Sequence, residues 1–479
     1  MINFSMIIYT LGWLLLFESA FLAVPLITAA VYWESAFFAF FGVICICVAA
    51  GMLLTYKKPT NTAIYAREGF IIVSLSWIVL SIFGCLPFLF TGVTTSFVDA
   101  LFETVSGFTT TGSSIFPEVE SLPKSILMWR SFTHWVGGMG VLVFILAFLP
   151  LGGGQSLHIM RAESPGPEVS KLVPRVKKTA IILYGIYFVM TVISFIILLI
   201  AGMPVFDALN TAFATAGTGG FGIKNDSFGS MTATQQIIVT VLMLVFAINF
   251  NSYYLVLKLK FKDAVNSEVR TFIFIVIAAV TIITFNIKDS FDTVGEAIRH
   301  AAFSVASLIS TTGFATVDFN LWPALSKTVL MLVLLIGGCA GSTAGGIKVS
   351  RIVILFKGWI REIGMLLHPR QIKKITIDKK PVEHEIVRSV NTYVICYVMV
   401  FATSLMAISF ENHDLITNFT AVATTLGNTG PGLGEVGPAS NFSCFGSFSK
   451  LVLSFNMLAG RLELFPMLIL FYPGTYKKQ

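Results

Sequence analysis

The sequence predicts an all-α integral membrane protein. It reads as ten transmembrane helices: two in front, then four span–pore helix–filter loop–span repeats around one pore. Its composition, a series of long apolar runs and a fourfold recurrence of one Thr-Gly segment point to this. Of 479 residues, 55% are hydrophobic and 12% charged, against roughly 45–50% and 25% in ordinary globular chains. Phenylalanine alone occurs 44 times, and the mean hydropathy is +0.83. Such a chain needs lipid around most of its length. This excludes a soluble enzyme, a disordered chain and a nucleic-acid binder, even with a pI near 9.0.

Runs of the length that crosses a bilayer, about 20 residues, lie near 6–32, 35–55, 69–91, 126–149, 178–201, 233–257, 271–287, 327–357, 388–410 and 449–471. The first contains Glu18 and has no small-residue cleavage site, so it reads as a retained span rather than a signal peptide. The six cysteines sit mostly inside apolar runs, with no disulfide or zinc-ligand spacing, and read as packing residues.

Charge sets the orientation. One side takes the loops 56–68, 150–177, 258–270 and 348–388 and the tail pair Lys477-Lys478. With Lys178 at the edge of the second loop, it carries 24 of the 32 Lys and Arg but nine of the 25 acids. Basic residues concentrate on the cytoplasmic side of membranes. Both termini and the long loop before residue 388 are therefore expected in the cytoplasm, and the basic balance is a topology signal.

The internal repeat is the most informative feature. FVDALFETVSGFTTTGSS from Phe97 holds Thr110, Thr111 and Gly112. FDALNTAFATAGTGGFG from Phe206 places Thr218 and Gly219 in the equivalent positions. AAFSVASLISTTGFA supplies Thr311, Thr312 and Gly313, and NFTAVATTLGNTGPGLG supplies Asn428, Thr429 and Gly430. Each loop follows a half-length helical stretch and lies between two spans, on the side expected to be external. The units divide the chain into an extension, 1–68, and repeats at 69–150, 151–258, 259–360 and 361–479.

Re-entrant backbone at membrane depth survives only where protein buries it or water reaches it. Four such loops on one axis would line a pore. Glycine can turn its carbonyl into positions closed to residues with a Cβ, and rings of carbonyls replace the hydration shell of a monovalent cation. The negative C-terminal end of each half-helix would favour cations. One such stretch alone would read as a small-residue packing motif; four in register read as a filter.

These residues resemble the Trk/Ktr/HKT superfamily of potassium transporters, most closely the TrkH/TrkG branch, over essentially the whole chain. The specific pieces are FTTTGSS at 108–114, ISTTGFA at 309–315, GNTGPGLG at 427–434, GGCAGSTAGGIK at 337–348 and AGRLELFP at 459–466. The resemblance implies potassium uptake across a bacterial inner membrane, with K⁺ as both cargo and filter-bound ion and no covalent cofactor. It also implies a homodimer gated by a cytoplasmic ring of nucleotide-binding TrkA-type subunits, for which the basic loops 150–177 and 348–388 are the expected contacts. Glycine at all four filter positions matches the potassium-selective pattern, whereas some sodium-carrying plant relatives have serine at the first. The second unit departs mildly, with Ala216-Gly217 before its threonine.

Two gate elements are expected below the filter. Gly337, Gly338, Gly341, Gly345 and Gly346 interrupt the span 327–357. At roughly 1 kcal/mol per helical glycine relative to alanine, they should break it. Broken mid-membrane helices mark transport pathways, so 337–346 reads as an intramembrane loop blocking the pore, in keeping with the resemblance. Arg461 lies inside the last span, where insertion costs at least about 2.5–3.5 kcal/mol. It reads as an electrostatic barrier, the alternative being a salt bridge to Glu463 or Glu18; the resemblance also places an arginine in the pore.

Asn249, Phe250 and Asn251 are further pore-facing candidates. Arg130 and His134 are candidates for the filter's outer scaffold, and Asp99, Glu103, Asp207, Glu296, Asp414 and Glu435 for a cation-gathering outer mouth. GTGGFG at 217–222 matches a dinucleotide fingerprint without its strand, helix or acid, and Ile347 spoils a phosphate loop in GSTAGGIK. No Ser-His-Asp set, paired catalytic carboxylates or metal cluster stands out and the six histidines are scattered, so no enzyme is expected. A sodium-dependent Ktr-type subunit or a proton- or sodium-coupled symporter would keep the fold, although the two leading spans argue against the former. A secondary transporter of an organic solute would show broken helices in pairs, and only one interrupted span is expected here.

Overall fold

The computed structural model describes residues 2–61, 64–140, 176–368, 374–378 and 380–477. The last part of the expected span 126–149, nearly all of the loop 150–177 and part of the loop before 388 lie outside them. Among the described residues, six helical segments are long and apolar enough to cross a membrane: Phe4–Val31, Ala36–Thr55, Ala66–Phe90, Lys178–Ile200, Ser267–Ser290 and His384–Glu411. Phe38, Leu53, Phe274, Phe285 and Met406 on them are each at least 70% exposed. Large apolar groups outside and buried Thr, Ser and Asn inside is the arrangement a lipid solvent selects.

Four short helices lie between the crossings: Phe97–Phe108, Val205–Gly217, Val294–Ile309 and Leu415–Gly427. At 12 to 16 residues they are roughly 18–24 Å long, short of a bilayer core. Local chemistry starts three of them. Ser96, Thr293 and Asp414 accept hydrogen bonds from the backbone N–H groups of Asp99, Glu296, and both Ile416 and Thr417, which satisfies donors the first turn leaves free.

The expected continuity of the inner spans is corrected. The span near 233–257 is two helices, Ala233–Phe246 and Phe250–Leu257, bent by 91°. The span 449–471 also breaks, between Ser447–Arg461 and Phe465–Phe471, with Glu463 and Leu464 at φ +59° and +66°. The break expected in the third unit separates Ala324–Ile336 from Val349–Leu367. These breaks survive because neighbours take up the freed backbone groups. Ala247 O accepts from Cys339 N–H at 3.0 Å, and Gly341 O accepts from Phe250 N–H at 3.0 Å. Interrupted helices are thus a feature of several units, so their number does not separate a pore from a solute transporter.

Candidate ion pathway

Each short helix ends in the same way. The N–H groups of Thr111, Gly219, Thr312 and Thr429 reach back to the carbonyls of Ser106, Ala214, Ser307 and Thr424 at 2.8–2.9 Å, a Schellman-type closure. The residue before each, Thr110, Thr218, Thr311 or Asn428, is left-handed with φ from +53° to +56°. The residue after each, Gly112, Gly220, Gly313 or Gly430, has φ from +80° to +91°.

This alignment corrects the register of the second unit. Gly219 stands where the other units have Thr111, Thr312 and Thr429, and Gly220 takes the place expected of Gly219. The cause is His134. A Cβ on Gly219 would lie 2.1 Å from the His134 ring, so the threonine of the other units has no room here. The ring is held by Nδ1 to Gly107 O at 2.7 Å and by Phe221 N–H donating to Nε2 at 3.2 Å.

The four loops close a ring. A Cβ on Gly112 would fall 2.0 Å from Gly219 O, on Gly220 1.8 Å from Thr312 O, on Gly313 2.4 Å from Thr429 O, and on Gly430 2.8 Å from Thr111 O. Each unit's glycine thus lies against the next unit's carbonyl, in the order one, two, three, four, one. Only glycine combines this φ with this approach. All four glycines border an open cleft of about 750 Å³, with Arg130 and Asn441 among its other walls.

A buried ion pair braces the ring. Arg130 Nε lies 2.7 Å from Glu103 Oε1, with both side chains almost wholly buried. Glu103 also accepts from Ser114 Oγ at 3.1 Å and Ile115 N–H at 2.9 Å, while Arg130 donates to Gly222 O at 3.2 Å. One pair therefore joins the first and second loops of the ring. Glu103 is accordingly not a free acid of the outer mouth. Asp99 is likewise bound to Lys450 at 2.6 Å, Glu435 to His413 Nδ1 at 2.7 Å, and Asp414 caps the fourth pore helix.

The glycine-rich segment packs directly against the ring. Gly345 N–H donates to Thr311 Oγ1 at 2.6 Å, and Gly346 N–H to Gly427 O at 2.9 Å. A Cβ on Gly345 would lie 2.3 Å from Gly427 O. Glu268 Oε1 accepts from Ala340 N–H at 2.7 Å and Ser350 N–H at 3.1 Å, which ties the segment and the first turn of the following helix to one carboxylate. Arg461 donates to Thr343 O at 2.8 Å and to Gly137 O and Gly138 O at 2.6 and 2.5 Å. It therefore joins the fourth unit to the third unit's loop and the first unit's inner helix. Glu463 pairs with Arg351, and the buried Glu18 carboxyl has no hydrogen-bond partner among the described residues.

Comparison with known proteins decides the family. The family model for TrkH, described as a cation transport protein, matches residues 34–476. The chain belongs to the TrkH family. The Trk system potassium uptake protein TrkH of Salmonella typhimurium is 35% identical, over 99% of this chain and all of the relative. The Trk system potassium uptake protein TrkG of Escherichia coli is 33% identical, over 96% of each. The crystal structure of the potassium transporter TrkH from Vibrio parahaemolyticus matches with a TM-score of 0.89 at 32% identity, over 99% of this chain and 100% of that one. The family is one of membrane transporters rather than enzymes.

Within this TrkH-family fold, the structure gathers Thr110, Thr111, Gly112, Thr218, Gly219, Thr311, Thr312, Gly313, Asn428, Thr429 and Gly430 into one ring. Of the expected gate residues, Gly345 and Gly346 contact Gly427 beside the ring, Gly337 packs on Gly345 and Gly346, Gly338 and Gly341 face Ala247 and Asn249, and Arg461 reaches Thr343 O. Sequence reasoning missed Gly220, Glu268 and Lys348. Lys348 is buried at φ +84° and donates its ammonium to Ala344 O. A lysine ending a glycine-rich run was visible, but it was weighed only as a phosphate-loop residue. Asn249 is the N-cap of the second unit's outgoing half-helix and accepts from Asn251 N–H at 2.8 Å.

Proposed function

We propose that the chain takes up K⁺ across the bacterial cytoplasmic membrane. The ion sheds water onto the carbonyls around Gly112, Gly220, Gly313 and Gly430, and the ring of glycine–carbonyl contacts carries this reading. A filter of backbone oxygens needs every loop held at fixed spacing, and the Glu103–Arg130 pair and His134 supply that stiffness. The relatives named as potassium uptake proteins or potassium transporters support the choice of ion. The segment 337–346, with Arg461 across it, is the gate: its backbone lies in the ion's way and the guanidinium repels cations. Opening requires Arg461 to release Thr343 O and the two carbonyls of Gly137 and Gly138.

Both termini lie in the cytoplasm in this reading, as the basic loops require. Two copies assemble as a homodimer, on which a nucleotide-binding TrkA-type ring sets the gate through the basic loops. Rubidium uptake into liposomes holding the purified protein tests the pathway, with potassium, sodium and choline as competitors. Potassium should block the flux and sodium should not, Gly313→Ser should weaken that discrimination, and Arg461→Ala should raise the flux. No rubidium flux in any variant would overturn the reading.

A further inference from the structure

We infer that His413, Glu435 and Cys444 form a binding site for one borderline transition-metal cation of the Zn²⁺ type, on the same face as the filter mouth. The imidazole nitrogen, carboxylate oxygen and thiol sulfur all lie within 4.8 Å of one another. Zinc takes such ligands at about 2.0–2.3 Å, which sets neighbouring donors roughly 3.2–3.8 Å apart in a tetrahedron. The three groups are therefore within a side-chain adjustment of that geometry. A sulfur, a nitrogen and an oxygen together select zinc-like ions over Mg²⁺ or Ca²⁺, which prefer oxygen alone.

The His413–Glu435 contact alone would be an ordinary ion pair at a protein surface. Its Nδ1 and Oε2 are hydrogen-bonded at 2.7 Å, and a metal ion can take the place of that bond once the pair opens by about 0.5 Å or more. The thiol adds nothing to an ion pair, but it completes a three-ligand zinc set with a fourth position for water.

The donors are also held in place by their neighbours. Glu411 accepts the Gly446 N–H at 2.8 Å and lies 3.9 Å from His413. The Phe445 ring stands edge-on to the His413 ring with centroids 4.8 Å apart. Together these fix the segment carrying Cys444 over the histidine. Glu435 N–H donates to Thr417 Oγ1 at 3.0 Å, which sets the third ligand. A bound ion would join the entry to the fourth pore helix, the loop after Gly430 and the segment before the last inner helix. Val436 and Gly437, next to Glu435, border the filter cleft.

The test uses the purified, metal-free full-length protein in detergent. Zn²⁺ is titrated against a chromophoric indicator, and Co²⁺ binding is followed by absorption. One Zn²⁺ per chain is expected, bound about tenfold or more weakly after Cys444→Ser or His413→Ala. Co²⁺ should give a sulfur-to-cobalt charge-transfer band that Cys444→Ser abolishes and Cys45→Ser, in a separate helix, leaves intact. Equal Zn²⁺ affinity in the parent and Cys444→Ser, or no thiolate band, would overturn the site. Cys444 is exposed, so its serine variant keeps the fold even if the histidine variant does not. Because binding is read without flux, failure here is distinct from failure of the potassium pathway.

Discussion

Alanine at Gly220 probes the filter at the position where sequence alignment and structure disagree. Gly220 has φ +80°, and a Cβ there would meet Thr312 O at 1.8 Å. Ordinary contact begins near 3.4 Å, so the third unit's carbonyl would have to retreat by about 1.6 Å. A left-handed backbone costs a residue with a Cβ about 1–2 kcal/mol, and overpacking adds about 1–3 kcal/mol. Together these come to about 2–5 kcal/mol, or roughly thirtyfold to a few thousandfold in the population of intact filter. Rubidium flux under potassium and sodium competition reads this directly. Gly220→Ala is expected to lose potassium discrimination or conduction by at least about thirtyfold. Gly219→Ala has a different obstacle, the His134 ring at 2.1 Å. Its defect should shrink when His134→Ala is added, giving a measurable coupling between the two sites. Gly220→Ala with parental rate and selectivity would refute the ring register.

Thr311→Val removes the hydroxyl that accepts the Gly345 N–H. An unpaired buried donor costs about 1–3 kcal/mol, so the loop should loosen and basal rubidium leak should rise while potassium selectivity persists. Glu103→Gln leaves the Arg130 charge buried without its carboxylate. Breaking such a pair costs about 3–5 kcal/mol, and a lower melting temperature in detergent should report it. The Thr417 hydroxyl, followed by backbone N–H groups, holds the Asp414 carboxyl below the usual aspartate range. Its contribution is complete above that usual range and lost as pH falls through the lowered value. The melting temperature of the parent should therefore fall more steeply in acid than that of Asp414→Asn, which keeps a capping oxygen but does not titrate.

The parts legible in the sequence are those set by local pattern. Composition and run length identified the membrane helices, and the recurring threonine–glycine segments located the four loops that close the ring. The register of the second loop was not legible, because Gly217-Thr218-Gly219-Gly220 offers more than one glycine to align. The choice is made by His134, which belongs to the preceding unit. The breaks after Phe246 and Arg461 were missed for a related reason. Helix propensity sees only the chain itself, while Ala247 O finds its donor on Cys339, in another unit. Asn249 and Pro466 were local hints of new helix starts, masked by the apolar residues around them. Glu103 was not separable from the outer acids because charge alone cannot distinguish a carboxylate facing water from one buried against Arg130.

In the proposed pathway a monovalent cation sits within the ring of four loops. Anomalous diffraction from crystals of this protein grown with Rb⁺ tests it most directly. The account expects density on the pseudo-fourfold axis, coordinated by the carbonyls of Thr111, Gly219, Thr312 and Thr429. Ordered Rb⁺ away from that axis, with none inside the ring, would contradict it.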